Sequence, residues 1–386
     1  MNFIYISPYF PQNFQEFAVK LHQNGATVLG IGSEAYDILP ASLKEALTEY
    51  YRVDNLEDTL AVKKAVAFFF HRYGPIDRIE SQEEYWLELD AQLREQFNIV
   101  GMKPKELKKI KHKSEMKKYF KKAKCPVAKG RLVRTKVSLK RAAKALGYPV
   151  VLKPDVGVGA GNTYRIDNDN DLEKFEAQWD HTTPYFMEEF IEGGQLCTFD
   201  GLLDQEGNIV WYGSLTYEEP TLDWVNGDRD GVYWIEKEVD PKLKGIGENV
   251  VKAFGIKERF FHIEFFRMPD NSYLGIEYNN RAVGGFGHDA YDYAHSIDLY
   301  DMYAKVVLGK EIPANPNNSR YCVVTFRQAG KNYQHSVADI KERYANDVKA
   351  VKDLPKVYHD LLGSQLFAIL CDNENERQAI TDYIRA

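Results

Sequence analysis

Apolar and polar positions along the first hundred residues switch repeatedly between a period of two and a period near 3.6. Asn2 to Ser7 is a short apolar run that predicts a strand. Over Asn13 to Gln23, the residues Phe14, Phe17, Ala18 and Leu21 recur at helical spacing, and Asn24-Gly25 supplies a stop. Ala26 to Gly32 predicts a second strand. Leu56 to Tyr73 and Tyr85 to Phe97 predict helices, with Asp77 to Glu80 leading into a polar strand end between them. Such alternation predicts a small parallel α/β domain over residues 1–110. Gly30-Ile31-Gly32 falls short of a GxGxxG fingerprint, so the pattern carries no claim to dinucleotide binding.

Residues 104–124 predict a basic helical linker. A second α/β region follows. Ser138 to Leu146 is helical and ends at Gly147, and Val150 to Lys153 is a strongly apolar strand. A helix near Asp171 to Trp179 precedes the strand Pro184 to Phe190. Leu196 to Leu203 with Ile209 to Thr216 predicts a long hairpin, and Tyr217 to Val232 a loop rich in acids and aromatics. The helix Pro241 to Phe254 leads to a strand-turn-strand pattern over FHIEFFRMPDNSYLGIEYNNR, then a helix from Asp289 to Leu308. Pro313-Ala314-Asn315-Pro316-Asn317-Asn318 is a break. The remaining segment predicts strands Tyr321 to Phe326 and Gln365 to Cys371 and a closing helix from Glu374.

Composition narrows the class. A 44% apolar and 28% charged chain fits an ordinary soluble protein, and no apolar run approaches the roughly 20 residues that cross a bilayer. The first residues read as a strand and not as a signal peptide. Four scattered cysteines form no CxxC pair, which argues against a thiolate zinc site and favours a reducing compartment, so the expected location is cytoplasmic. A net charge of −7 disfavours nucleic acid as a partner. The eleven lysines between Lys103 and Lys124 read mostly as a solvated helix face.

Three elements carry candidate chemistry. In the predicted hairpin, His262 and Glu264 share one face of the first strand, and Gly275, Glu277 and Asn279 share one face of the second, with Ile276 and Tyr278 opposite. Pairing would gather two carboxylates and a carboxamide oxygen, hard ligands suited to Mg²⁺ against phosphates, with Arg281 just beyond. An acidic, solvent-facing sheet edge is the plainer alternative. Second, Lys153 ends an apolar strand and needs an anionic partner. Gly157, Gly159 and Gly161 follow, where backbone amides can approach phosphate oxygens, although the segment lacks GK[ST] and also fits a simple hairpin loop. Third, the strand over 184–190, leaving its sheet within the run Pro184 to Gln195, offers backbone groups to a base edge, though such strand-turn sequences are common.

Together these motifs resemble the ATP-grasp superfamily over residues 1–315, in particular carboxylate–amine ligases of the carbamoyl phosphate synthetase, biotin carboxylase and D-alanine ligase kind. The resemblance implies an α/β and α+β architecture. A Rossmann-like pre-ATP-grasp domain would occupy 1–110, an ATP-grasp domain 111–315 with lobes 111–190 and 191–315, and a small C-terminal α/β domain 316–386. It implies ATP with Mg²⁺, or alternatively Mn²⁺, as cofactors. Lys113, in KHKSEMKKYFKKAKCPVAKG, looks like the first phosphate-contacting lysine and Lys153 like the second. Gly157, Gly159 and Gly161 match the loop over the phosphates, and Glu188, Glu189 and Ile191 the adenine edge. Gln195 stands where many members carry a ribose-binding glutamate. Glu264, Glu277 and Asn279 match the metal ligands, and Arg281 an arginine on the acyl phosphate. The implied reaction joins a small carboxylate to an amine through an acyl phosphate, releasing ADP and phosphate. A bicarbonate-activating carboxylase and a nucleotide-binding protein without ligase turnover are the alternatives. The implied partners are small molecules and not nucleic acid or membrane, with homodimerisation a further expectation.

Overall fold

The computed structural model describes residues 1–157, 162–219, 230–313 and 318–386. Among the described residues the strands form three sheets. The first is parallel, in the order Glu49–Arg52, Thr27–Gly32, Asn2–Ile6, Arg78–Glu80. Its inner strands are buried on both faces, as helix-covered parallel strands must be. Helix Thr59–Tyr73 starts where Asp58 accepts hydrogen bonds from the Leu60 and Ala61 N–H groups.

The second sheet is antiparallel and ordered Gly130–Val133, Tyr185–Glu189, Val150–Pro154, Tyr164–Ile166. Helices Lys136–Leu146 and Asp169–Gln178 accompany it, and Leu139, Val150, Leu152, Phe175 and Met187 form a core belonging to this lobe. The third sheet runs Tyr273–Asn279, Phe260–Arg267, Gln195–Leu203, Leu215–Tyr217, Val232–Ile235, Tyr321–Arg327, Gln365–Cys371, Val348–Asp353, and Ile209–Gly213 pairs with Gln195–Leu203 off this path. Tyr321–Arg327 hydrogen-bonds antiparallel to Val232–Ile235, so the segment after the 313–318 break continues the sheet that carries the candidate hairpin.

The largest core crosses the chain's regions. Phe3, Tyr5, Phe14 and Phe17 from the first 110 residues pack with Phe260, Tyr291, Tyr300 and Tyr303, and the same cluster reaches Val324 and Ala368. Charged contacts reinforce the junction. The carboxylate of Glu80 receives Arg94 at 2.6 Å and also Arg259, whose Nε donates to the Asn280 carbonyl at 2.7 Å.

Two helices expected as single rods are each divided. The basic linker breaks at His112, which is extended, into Pro104–Lys111 and Lys113–Lys122. Asp155 holds the break, accepting from the Ser114 N–H at 2.8 Å while its carbonyl accepts from the Lys113 N–H at 2.8 Å. Asp289 to Leu308 is broken at Ser296, whose φ is 55°, into Gly287–His295 and Leu299–Leu308.

Candidate active site

The expected hairpin is formed by Phe260–Arg267 and Tyr273–Asn279. Its turn has local causes. Asp270 accepts from the Ser272 N–H at 2.9 Å, and Asn271 takes a left-handed φ of 58°. In the register Glu264 lies opposite Glu277 and His262 opposite Asn279. Two facing carboxylates repel. Here the Lys113 ammonium lies 2.9 Å from Glu277, and His262 Nε2 lies 3.4 Å from Glu264. Asn279 donates weakly to Glu264 at 3.4 Å.

A bulge alters the expected faces. Glu264 pairs with Glu277, but the next residue, Phe265, pairs with Gly275, leaving Ile276 as the extra residue. Gly275 therefore turns to the core, where an added Cβ would sit 2.6 Å from the Phe120 ring, and Tyr278 stacks on Phe254 at 4.2 Å. Leu274 and Ile276 instead line a cavity. The alternation expected from the sequence holds for Glu277, Tyr278 and Asn279 and is reversed before the bulge.

That cavity, about 410 Å³, lies between the second sheet and the hairpin. Arg165, Val151 and Glu188 stand side by side across three strands and line one wall. Phe266, Leu274 and Ile276 line the other, and Glu189, Phe190, Ile191 and Gly193 lie where the chain leaves the sheet. Lys153 lines the cavity with its ammonium 3.4 Å from Glu188. A residue absent from the sequence reading completes the group: Lys117 lies 2.6 Å from Glu188 and donates to the Gly275 carbonyl at 3.3 Å. Burial would raise the Glu188 carboxyl, but Lys117 and Lys153 outweigh it and hold it below the usual range. Lys113, Met116, Lys117 and Phe120 are the buried residues of their helix. These positions follow helical spacing, and that was the available signal for Lys117. It was hidden in a run of lysines read as solvated.

Lys113 and Asp200, both outside the hairpin, govern much of its electrostatics. Burial works against the Lys113 ammonium, but Glu277 prevails and raises its pKa. Burial likewise disfavours a charged His262. The Asp200 carboxylate, 2.7 Å from Nδ1, overcomes it and lifts the imidazole to about 9. Asp200 is itself held by the Thr198 hydroxyl at 2.6 Å and by Tyr291. Glu264 is held below its usual range, with burial opposing and His262 prevailing.

Arg281 reaches back to the first 110 residues, with Nε 3.2 Å from Glu84, and donates to the Ala282 carbonyl at 3.0 Å. Burial raises Glu84 against the pull of Arg281. Burial and the nearby Asp90 carboxylate push its neighbour Glu83 up to about 8.

Some expected residues stand elsewhere. Gln195 does not line the cavity; its amide donates to the Tyr217 carbonyl at 3.2 Å and its oxygen accepts from Arg267. Glu189 takes a hydrogen bond from the Lys129 N–H at 2.9 Å. Gly157 is placed after Lys153, whereas Gly159, Gly161 and most of the 217–232 loop lie outside the described residues.

Among the described residues no three His, Cys, Asp or Glu side chains form a metal cage. Glu264, Glu277 and the Asn279 carboxamide supply hard oxygens from two adjacent strands. That suits an ion such as Mg²⁺, which keeps several ligands from water and phosphate.

Residues 146–289 match the family model of the ATP-grasp domain. The L-arginine-specific L-amino acid ligase of Bacillus subtilis is 25% identical over 253 residues, covering 61% of this chain and 58% of that protein. The C-terminal section of the carbamoyl phosphate synthase large chain of Methanopyrus kandleri is 24% identical over 224 residues, covering 56% of this chain and 40% of that one. The chain thus spans less than two thirds of the length of these relatives. Among solved structures, the L-amino acid ligase from Bacillus licheniformis superposes with a TM-score of 0.71 at 19% identity, covering 99% of this chain and 96% of that one. The N5-carboxyaminoimidazole synthetase from Staphylococcus aureus complexed with ADP gives 0.70 at 16%, covering 98% and 95%. Residues 146–289 thus match an ATP-grasp domain, and the chain shares its fold along nearly its whole length with the L-amino acid ligase and the N5-carboxyaminoimidazole synthetase.

Proposed function

We propose that the protein is an ATP-dependent carboxylate–amine ligase that forms an acyl phosphate from a small carboxylate and passes the acyl group to an amine. The observation that carries this reading is the facing pair Glu264 and Glu277 beside Asn279, with Lys113 2.9 Å from Glu277 and Arg281 in the same chain run. Residues 1–110 act in this reading as a Rossmann-like pre-ATP-grasp domain, 111–315 as the ATP-grasp domain, and 316–386 as a C-terminal unit that extends its sheet.

The 410 Å³ cavity takes the adenine, with backbone at Glu189 and Ile191 along the base edge. Lys113 and Lys153 attract the phosphates, and the Gly157 amide is a further donor to them. Glu264, Glu277 and Asn279 would hold Mg²⁺, or Mn²⁺ in its place, and the ion would supply positive charge against the phosphates. The substrate carboxylate oxygen attacks the γ-phosphorus and ADP leaves. The amine then attacks the acyl carbon, its nitrogen loses a proton, and phosphate leaves. Arg281 is planar and bidentate, which suits it to hold the carboxylate and then the acyl phosphate. Glu84 aims it.

The test is ADP release and product mass across a panel of carboxylates and amines. Release that needs both a carboxylate and an amine, and is lost in Glu277→Gln, supports the reading. Release driven by bicarbonate alone would move it to the carboxylase reading. ADP binding with no turnover across the panel would leave a nucleotide-binding protein.

A further inference from the structure

Arg165 is used by nothing in the proposed mechanism, yet it lines the cavity. It sits on strand Tyr164–Ile166, directly beside Val151, which is directly beside Glu188. In a pleated sheet such side-by-side positions share a face. Its guanidinium carbon lies 4.2 Å from the centroid of the Phe190 ring, another lining residue. Asp167 takes the Nε–H at 2.9 Å, which fixes the plane and leaves the terminal nitrogens to other acceptors. The facing wall, Leu274 and Ile276, is apolar. A slot with aliphatic side chains on one side and an aromatic-backed guanidinium on the other suits a flat heteroaromatic ring. A weakly hydrated guanidinium also stacks on such a ring better than an ammonium does.

We propose that Arg165, backed by Phe190, is a nucleobase-positioning residue that forms part of the wall against which the purine of the nucleotide stacks. This rests on the cavity being the nucleotide site, and on no part of the ligase chemistry. The residue acts through the base and not through the phosphates.

Calorimetric binding of ADP tests it without any knowledge of the carboxylate or amine. Arg165→Ala is expected to weaken ADP about threefold to thirtyfold, the span of a cation–π contact from exposed to desolvated. Arg165→Lys keeps the charge but loses the plane, and should recover only a minor part. Phe190→Leu should weaken ADP and make the further loss on adding Arg165→Ala smaller than in the wild type. Inorganic tripolyphosphate, which has no base, should bind wild type and Arg165→Ala alike. An equal loss for tripolyphosphate would overturn the proposal, making Arg165 a phosphate contact. Normal ADP binding by Arg165→Ala would overturn it while sparing the nucleotide-site reading. A wild type that binds no ADP would remove both. Arg165 is half exposed, with 51% of its side chain accessible, so the fold should tolerate each change, and circular dichroism checks that.

Discussion

The two walls of the cleft balance their charges in opposite ways. On the wall of the second sheet, the Glu188 carboxylate is shared by Lys117, from the helix Lys113–Lys122, at 2.6 Å and by Lys153 at 3.4 Å, which leaves one positive charge over. On the hairpin wall, two carboxylates face each other and are quieted by Lys113 from a helix and by the hairpin's own His262, which Asp200 backs. The first wall holds two ammonium groups to one carboxylate, a surplus that a bound anion would offset. The second holds its acids in check with groups that a bound cation would relieve. Their foundations differ as well, because the small sheet rests on its own core whereas the hairpin is rooted through Tyr278, Phe254 and Phe120 in the larger body.

The largest effect expected is on the hairpin wall. Glu277→Gln keeps the shape and removes one charge, and should lower ADP release about a hundredfold to a thousandfold, as losing one group that stabilises transferring charge does. Initial rates at saturating ATP check it, and a fall below tenfold would place the cation elsewhere. Truncation next compares the foundations. Tyr278→Ala should cost about 3–5 kcal/mol and lower the cooperative transition of the main body, while Met187→Ala should cost about 2–5 kcal/mol. If the small lobe is the separate unit its core suggests, only the latter should bring out an earlier transition in a urea melt followed by Trp179 fluorescence.

A smaller effect is expected where the regions meet. Glu84→Gln loosens Arg281 and should raise the KM for the carboxylate about tenfold, the scale of a charged hydrogen bond, while leaving the KM for ATP unchanged. A shift in the ATP constant instead would put Arg281 on the nucleotide side.

The last is a pH effect on the large core, at most about tenfold in the folding equilibrium per pH unit. His288 is buried among Phe14, Phe17, Phe260 and Tyr300, and burial pushes its pKa down to about 3. The unfolded imidazole takes its proton near 6.5, so the folded state lacks a proton that the unfolded state holds. Stability should therefore fall as pH drops below about 6.5, by up to about 1.4 kcal/mol per unit. Asp289 and Asp292, raised by burial, act in the opposite sense over the acid range. The comparison with His288→Leu isolates the histidine: the slope of its urea midpoint against pH should differ by one proton.

Period and turn chemistry made the hairpin legible, along with helix Pro241–Phe254 and strand Gln365–Cys371, because in each the local pattern and the tertiary packing agree. What was hidden depended on distant partners. Lys117 looked like one of many surface lysines until Glu188, 71 positions later, came beside it. Gln195 faces away because Arg267 takes its oxygen. The extra residue at Ile276 shows no mark in its own strand and arises from the pairing with Phe260–Arg267. The break at Ser296 had a faint mark, since Asp298 can cap, and does cap, the Asp301 N–H at 2.8 Å.

The pairing of Tyr321–Arg327 with Val232–Ile235 bears on how the chain can be cut. Removing everything after residue 317 would not detach a free-standing module. It would strip Val232–Ile235, whose four side chains are all buried, of its outer neighbour and leave a raw, apolar strand edge. Such an edge is a template for another chain, and the shortened protein should aggregate. The intact molecule ends its sheet on Val348–Asp353, a strand bearing Lys349, Lys352 and Asp353, charges that discourage a further strand from docking.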